Sequence, residues 1–279
     1  MTTPPPLPVP VPVHPPLDAA ALAELAQARE RLENPGWAAR AANVMGMPVE
    51  ALVGEYLPRR LTRGLDAITR RALSVALKSA LRTLRGPAAP ARPRLHRLAV
   101  SVTGAGGGFF GVAGLAVELP LTTTVILRSI ADIARAEGED LADPATAMAC
   151  LEVLAHGGRS MSDDGSESGY FAVRAAMAQQ VNAAARHVAQ HGLAHQGAPV
   201  LVQLLARVAA KFSVSVSEKL AAQAVPVVGA IGGATLNNVF IGHFQQMARG
   251  HFTVRRLERT HGEAAVRAAY RSLGSSSPR

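Results

Sequence analysis

Cysteine and aromatic residues are scarce in this chain of 279 residues. The one cysteine, Cys150, excludes a disulfide within the chain, and no CxxC or Cys/His cluster has the spacing of a zinc site. Seven Phe, three Tyr and one Trp supply too few rings for the stacking platforms of single-strand and RNA binders. No helix-turn-helix or zinc module is recognisable either. Nucleic acid is therefore not an expected partner.

The motifs of common enzyme classes are missing as well. The sequence contains no G-x-S-x-G, H-E-x-x-H, P-loop or S-x-x-K pattern. Gly106, Gly108 and Gly111 spell G-x-G-x-x-G, but Pro120 truncates the following helix and no strand alternation supplies a parallel sheet. Three histidines recur every four residues without a neighbouring carboxylate: His187, His191 and His195. We expect no catalytic residues, no cofactor and no metal site.

What the chain does contain is apolar residues at helical spacing. Hydrophobic residues make up 48% and charged residues 18%, which is too apolar for a disordered chain. Residues 1–16 carry eight prolines and no charge, so we expect a disordered, extended tail that is not a signal peptide. The pattern predicts an all-α, multi-helix domain over residues 17–271 and a disordered C-terminal tail over residues 272–279.

Charge is segregated along the chain. Residues 59–97 carry a net charge of +10, residues 98–170 carry −7 and residues 171–279 carry +9. Two basic blocks thus flank an acidic middle, which is typical of an oriented molecule whose basic surface faces an anionic partner.

The first basic block contains the strongest amphipathic pattern, the segment RRLTRGLDAITRRALSVALKSALRTLRG that follows Pro58. Projected at about 100° per residue, eight cations share an arc of about 140°. They are Arg59, Arg60, Arg63, Arg70, Arg71, Lys78, Arg82 and Arg85. The opposite arc is apolar and includes Val75, while Leu77 and Leu81 intrude on the charged side. Such a helix suits an anionic membrane surface, an acidic protein partner or plain solvent.

Two uncharged runs, residues 98–117 and 220–242, are rich in glycine. Each is long enough to cross a bilayer, but glycine and polar residues make insertion marginal. Glycines four residues apart let a second backbone approach closely. We therefore expect two glycine-rich apolar helical segments that pack together. The glycines that carry this prediction are Gly104, Gly107, Gly108, Gly111, Gly229 and Gly233.

Three ordered stretches resemble the EcsC family of bacterial proteins, over about residues 34–271. They are VTGAGGGFFGVAGLAVELPLTTTVILRSIADIARAEGEDL, SGYFAVRAAM and KLAAQAVPVVGAIGGATLNNVFIGHFQQMARGHFTVRRLE. The resemblance implies a mostly helical, membrane-associated protein related to ABC transport, without known catalytic residues. The matching positions are Glu118, Pro120, Arg128, Tyr170, Arg174, Pro226, Gly229, Gly232, Gly233 and Asn237.

The polar residues among these positions border apolar helices. An unpaired buried charge costs several kcal/mol, so Glu118 and Arg128 need partners, either each other or Arg174 and Asn237. We expect a polar network that comprises Glu118, Arg128, Tyr170, Arg174 and Asn237.

Two functions follow from these patterns. The first is a non-catalytic, membrane-associated accessory protein of the EcsC type, cytoplasmic and peripheral rather than transmembrane, with a membrane transporter as its protein partner. The second is a soluble enzyme with a polar pocket around Glu118, Arg128 and Asn237.

Overall fold

The computed structural model describes residues 14–33, 59–83, 118–157, 169–192, 198–223 and 230–275. These residues form eight α-helices and no strand, which confirms the all-α prediction. In chain order the helices are α1 (Ala19–Glu33), α2 (Arg59–Thr83), α3 (118–136), α4 (Pro144–His156), α5 (Gly169–His191), α6 (Pro199–Gln223), α7 (Ala230–His261) and α8 (Glu263–Ser275).

Local sequence signals set the ends of several helices. The Asp18 carboxylate accepts a hydrogen bond from the Ala21 backbone N–H at 2.7 Å and caps α1. Asp143 caps α4 in the same way through the Ala145 N–H, and Pro144 occupies the first turn. Gly262 adopts a φ of +86°, which ends α7 and lets the chain turn at once into α8.

The helices pack around α6 and α7. Helix α4 lies against α5, α6 and α7, while α2 packs on α6. Three fully buried rings, Phe212, Phe240 and Phe244, join α6 to α7 with centroids 5.1–6.1 Å apart. Helix α1 crosses α7 and α8 and covers a second apolar cluster built around Tyr170, Phe171 and Tyr270.

Several predicted boundaries differ from the structure. Of the run 220–242, residues 220–223 belong to α6 and residues 230–242 belong to the longer α7, while residues 224–229 lie outside the described residues. Helix α8 continues to Ser275, so residues 272–275 are helical and do not belong to a C-terminal tail. Near the N-terminus, the Pro15 carbonyl lies 2.9 Å from His261 Nδ1, which places the end of the proline-rich segment against α7.

Candidate functional site

Helix α2 has one buried face and one basic face. Its buried side chains include Leu65, Ala72, Leu73, Ala76 and Leu77. Three of the predicted cations, Arg70, Arg71 and Lys78, are exposed on the other side. Arg59, Arg60, Arg63 and Arg82 belong to the same helix, but their side chains lie outside the described part of the chain, as does Arg85.

The buried face is rotated relative to the prediction. Leu77, predicted to interrupt the charged side, is 2% exposed, whereas Val75, predicted to face the core, is 43% exposed. Val75 follows Arg71 by four residues and precedes Lys78 by three, so all three side chains share one face of the helix. The basic face of α2 therefore carries an exposed aliphatic side chain between two cations.

Helix α6 packs beside α2. Ser213 of α6 donates a hydrogen bond to the Asp66 carboxylate of α2 at 2.9 Å, which joins the two helices. The outer side of α6 exposes Val202 and Val214, at 49% and 44%. Of the five large hydrophobic side chains exposed in the described residues, three therefore lie on α2 and α6. We call the exposed cationic and aliphatic residues of these two neighbouring helices the α2–α6 surface; they are Arg70, Arg71, Val75, Lys78, Val202 and Val214.

Among the described residues, one helix is long and apolar enough to cross a membrane. It is the part of α6 from Pro199 to Leu220, and half of its most apolar window is buried inside the protein. A buried core helix passes the same criterion. The predicted glycine-rich segment 98–117 and residues 224–229 lie outside the description, so the predicted contact between the two glycine-rich runs stays a prediction.

The predicted polar residues fall into separate groups. Glu118 does not pair with Arg128: its carboxylate accepts a hydrogen bond from Lys219 Nζ at 2.6 Å, and both side chains are buried. Lys219 also lies 5.5 Å from the centre of the Phe240 ring. Burial lowers the pKa of Lys219, and the Glu118 carboxylate opposes that effect. Arg128 is half-buried on α3, and Asn237 is fully buried on α7.

Tyr170 and Arg174 do lie together, in a network that links α5 to α7. Arg174 makes a bidentate ion pair with Glu258, with N–O distances of 2.8 and 3.0 Å. Arg174 Nη1 also lies 3.4 Å from the Tyr170 hydroxyl, which in turn lies 3.1 Å from His251 Nδ1. Burial raises the pKa of Tyr170 and strongly lowers that of His251, so both side chains are neutral.

A second ion-pair network joins the end of α7 to the loop after α3. Arg255 binds the buried Glu139 carboxylate through two hydrogen bonds of 3.0 Å, and Arg259 and Thr146 bind the same carboxylate. Burial by itself would raise the pKa of Glu139, but the two guanidinium groups outweigh it and the pKa is lowered. Arg256 pairs with Glu137 and with Glu24 of α1.

Glu152 of α4 is a buried carboxyl whose charge is poorly compensated. Burial raises its pKa to about 7, although Arg174 and Arg255 oppose that shift. Its Oε1 atom lies 3.8 Å from His156 Nε2, too far for a hydrogen bond. Burial lowers the pKa of His156 to about 3, so the imidazole is neutral.

The structure also shows a close helix approach that the sequence pattern missed. A Cβ atom added to Gly250 of α7 would lie 2.6 Å from Leu32 Cγ and 2.9 Å from the Ala28 carbonyl oxygen of α1. Gly250 therefore lets α1 and α7 approach closely. Of the six glycines predicted to have this role, only Gly233 lies within the described residues, near the start of α7.

Sequence reasoning missed Lys219, Glu139, Glu152, His156, Glu258 and the arginines at the end of α7. Some of these charged residues were visible inside the quoted motifs, as in EGEDL and VRRLE. Their pairing was not, because partners such as Arg255 and Glu139, or Lys219 and Glu118, lie more than one hundred residues apart in the chain.

The described residues offer little direct chemistry. Burial raises the pKa of Cys150 to about 12, so its thiol is inert at neutral pH. No group of three or more His, Cys, Asp or Glu side chains in the described ranges could hold a metal ion. The fold and these sites define an all-α protein with a basic and apolar surface and an ion-paired interior.

Comparison with known families identifies the class. The EcsC protein family model matches residues 76–257, about two thirds of the chain, and the chain belongs to this family. The matched range is narrower than the range of about 34–271 expected from the motifs, and α1 and α8 lie outside it. No curated protein and no solved structure matched the chain.

Proposed function

We propose that this protein is a non-catalytic accessory protein that attaches reversibly to an anionic membrane through the α2–α6 surface, from the cytoplasmic side. The observation that carries the proposal is the position of Val75, exposed between Arg71 and Lys78. A helix that lies at the headgroup boundary uses both cationic and aliphatic side chains.

The energetics agree with reversible attachment. Each Lys or Arg near an anionic bilayer contributes about 1 kcal/mol, so Arg70, Arg71 and Lys78 together supply about 3 kcal/mol. Burial of exposed aliphatic area in the interfacial region adds to this at about 25 cal/mol per Å². Because salt screens the attraction between exposed charges, binding energies of this size are expected to be reversed by salt.

The second basic block of the sequence supports this choice of surface. Residues 171–279 carry a net charge of +9, but Arg255, Arg256 and Arg259 all bind carboxylates. Because these guanidinium groups are already paired, the end of α7 is a poor docking site for anions. These three arginines are therefore poorer candidates for contact with headgroups than the exposed cations of α2.

The alternative function, a soluble enzyme with a pocket around Glu118, Arg128 and Asn237, has less support. Glu118 is buried and paired with Lys219, and no hydrogen bond or ion pair in the described residues joins it to Arg128. A membrane transporter as the protein partner follows from the family resemblance alone. Co-purification of transporter subunits with the tagged protein, after crosslinking in cells, tests that part of the proposal.

The central test compares two double variants in a vesicle flotation assay. Arg71→Gln with Lys78→Gln removes the two cations beside Val75. Arg186→Gln with Arg271→Gln removes two exposed cations of α5 and α8 and produces the same net charge. The vesicles contain phosphatidylcholine with phosphatidylserine, or phosphatidylcholine alone.

We expect the α2 variant to bind the anionic vesicles roughly 30-fold more weakly than the unmodified protein, from about 2 kcal/mol of lost attraction. The α5–α8 variant keeps most of its binding. Equal losses in the two variants would mean that only net charge matters and would contradict a defined α2 surface. Circular dichroism checks that both variants keep their helices.

A further inference from the structure

A buried imidazole nitrogen without a hydrogen-bond partner lies beside a buried carboxyl where α4 packs on α5 and α7, and a second such nitrogen belongs to the neighbouring imidazole ring. Within the described residues, His156 Nε2 and His251 Nε2 are buried and neither atom has a partner. The Glu152 carboxyl lies 3.8 Å from His156 Nε2. The two imidazole rings are 5.6 Å apart, and the Tyr170 ring lies 5.0 Å from His156. We call Glu152, His156 and His251 the α4–α7 cluster.

The neighbouring hydrogen bonds favour one tautomer of His251. Arg174 can only donate, so the Tyr170 hydroxyl oxygen accepts from it and its own proton is available to His251 Nδ1. In the tautomer that uses this proton, the neutral His251 ring carries its own proton on Nε2. This buried N–H has no acceptor among the described residues, so the cluster contains an unsatisfied hydrogen-bond donor.

Orphaned polar groups are costly. Each unsatisfied buried group lowers the free energy of unfolding by about 1–3 kcal/mol. In folded proteins such groups usually have a functional role or are bridged by a water molecule or an ion. Two such groups in one cluster lower the free energy of unfolding by more than most surface substitutions do. A proton on Glu152 lowers this cost, because a carboxylic acid facing His156 Nε2 is a donor opposite an acceptor.

We propose that the α4–α7 cluster is a buried proton-binding site, in which Glu152 holds a proton below neutral pH and the release of that proton near neutral pH weakens the packing of α4 on α5 and α7. The proton lies on the Glu152 oxygen that faces His156 Nε2, with His156 in its Nδ1–H tautomer. When the proton leaves, a carboxylate remains in the interior next to a neutral imidazole.

The charged and titratable groups around the cluster do not neutralise that carboxylate. Arg174 is held by Glu258 in a bidentate pair, and Arg255 is held by Glu139. The groups that face the cluster are Tyr170 and Arg174 of α5, Lys211 of α6, and Arg255 and Glu258 of α7. Both arginines attract the Glu152 carboxylate, Glu258 repels it, and burial outweighs them all.

The sign of the pH dependence follows from linkage. The folded-state pKa of Glu152 is raised from 4.5 to about 7, so its stabilising contribution is complete below 4.5 and is lost as the pH rises through 7. His156 and His251 have lowered pKa values, and their contribution has the opposite sign. The two effects must therefore be separated by a variant that removes only the carboxyl.

Glu152→Gln is that variant, because the amide has the shape of the protonated acid and cannot lose a proton. We expect the folding equilibrium constant of the unmodified protein to fall relative to that of Glu152→Gln, by roughly tenfold per pH unit between about pH 5 and pH 7. Chemical denaturation at a series of pH values measures both profiles. Glu30→Gln, a surface site on α1, controls for the loss of one negative charge.

A second measurement needs no variant. The side-chain carboxyl carbons of glutamate, observed by NMR in the unmodified full chain, should include one resonance that titrates near pH 7. Hydrogen exchange of the α4 amides should accelerate over the same pH range by more than the intrinsic chemical rate. Parallel denaturation profiles for the unmodified protein and Glu152→Gln, or no glutamate carboxyl with a raised pKa, would overturn the proposal.

Discussion

Single residues show how the interior of this protein handles charge. Glu118 and Lys219 form a buried pair, and Arg174 and Glu258 form another, so the cost of burying each charge is offset by a direct partner. The sequence predicted that Glu118 needs a partner and placed Arg174 in a polar network, because these residues border apolar helices. It could not identify Lys219 and Glu258 as the partners, because a single sequence does not show which residues far apart in the chain lie close together in the fold.

Glu139 offers a test of how strongly these pairs hold the fold. Glu139→Gln leaves Arg255 and Arg259 without their carboxylate, and we expect a loss of about 3 kcal/mol in the free energy of unfolding at neutral pH. Because the folded-state pKa of Glu139 is lowered, this contribution is present at neutral pH and disappears as the pH falls through that pKa. Urea denaturation at several pH values measures the loss.

Glu137→Gln, two residues away, is the matched control. Glu137 and its partner Arg256 are 23% and 38% exposed, so this pair should contribute less than about 1 kcal/mol. Equal losses of stability in the two variants would show that the burial of Glu139 has no energetic role.

Single elements show which predictions a periodic pattern supports. The existence of α2 and its basic face could be read from the spacing of its cations, because eight charges within one arc leave the other side to the core. The exact rotation of α2 about its axis could not be read from that spacing. Leu77 and Val75 are both aliphatic, and it is the position of α6 that buries Leu77 and leaves Val75 in solvent.

Helix α1 illustrates the limit of family similarity. It lies outside residues 76–257, yet it packs closely on α7 through Gly250 and supplies Glu33, which accepts a hydrogen bond from the Tyr270 hydroxyl at 3.0 Å. The helix could be predicted from Asp18 and the leucine spacing. Its docking site could not, because the contact depends on a glycine more than two hundred residues away.

The docking of α1 predicts a contrast between two leucines. Leu25 is fully buried against α7 and α8, whereas Leu22 is 38% exposed. Leu25→Ala should lower the free energy of unfolding by about 2–5 kcal/mol, and Leu22→Ala should change it by about 0.5 kcal/mol or less. Thermal or urea denaturation of the two variants decides the matter: similar small losses would show that α1 is not part of the cooperative fold.

At the scale of the whole molecule, the segregated charge of the sequence becomes an uneven surface. The acidic middle block supplies Glu137 and Glu139, which neutralise arginines at the end of α7. On α2, the Asp66 carboxylate accepts a hydrogen bond from Ser213, while Arg70, Arg71 and Lys78 are exposed to solvent. The neighbouring helices α2 and α6 therefore expose both positive charge and aliphatic side chains.

The most direct test of membrane attachment is flotation of the unmodified full chain with vesicles of phosphatidylcholine and phosphatidylserine, first at low and then at high ionic strength. Because exposed charges are screened within about 8 Å at physiological salt, we predict binding at low salt, release at high salt, and weak binding to phosphatidylcholine alone. Protein that stays with the soluble fraction at low salt, or that remains bound after high salt and a carbonate wash, would contradict attachment by surface charge.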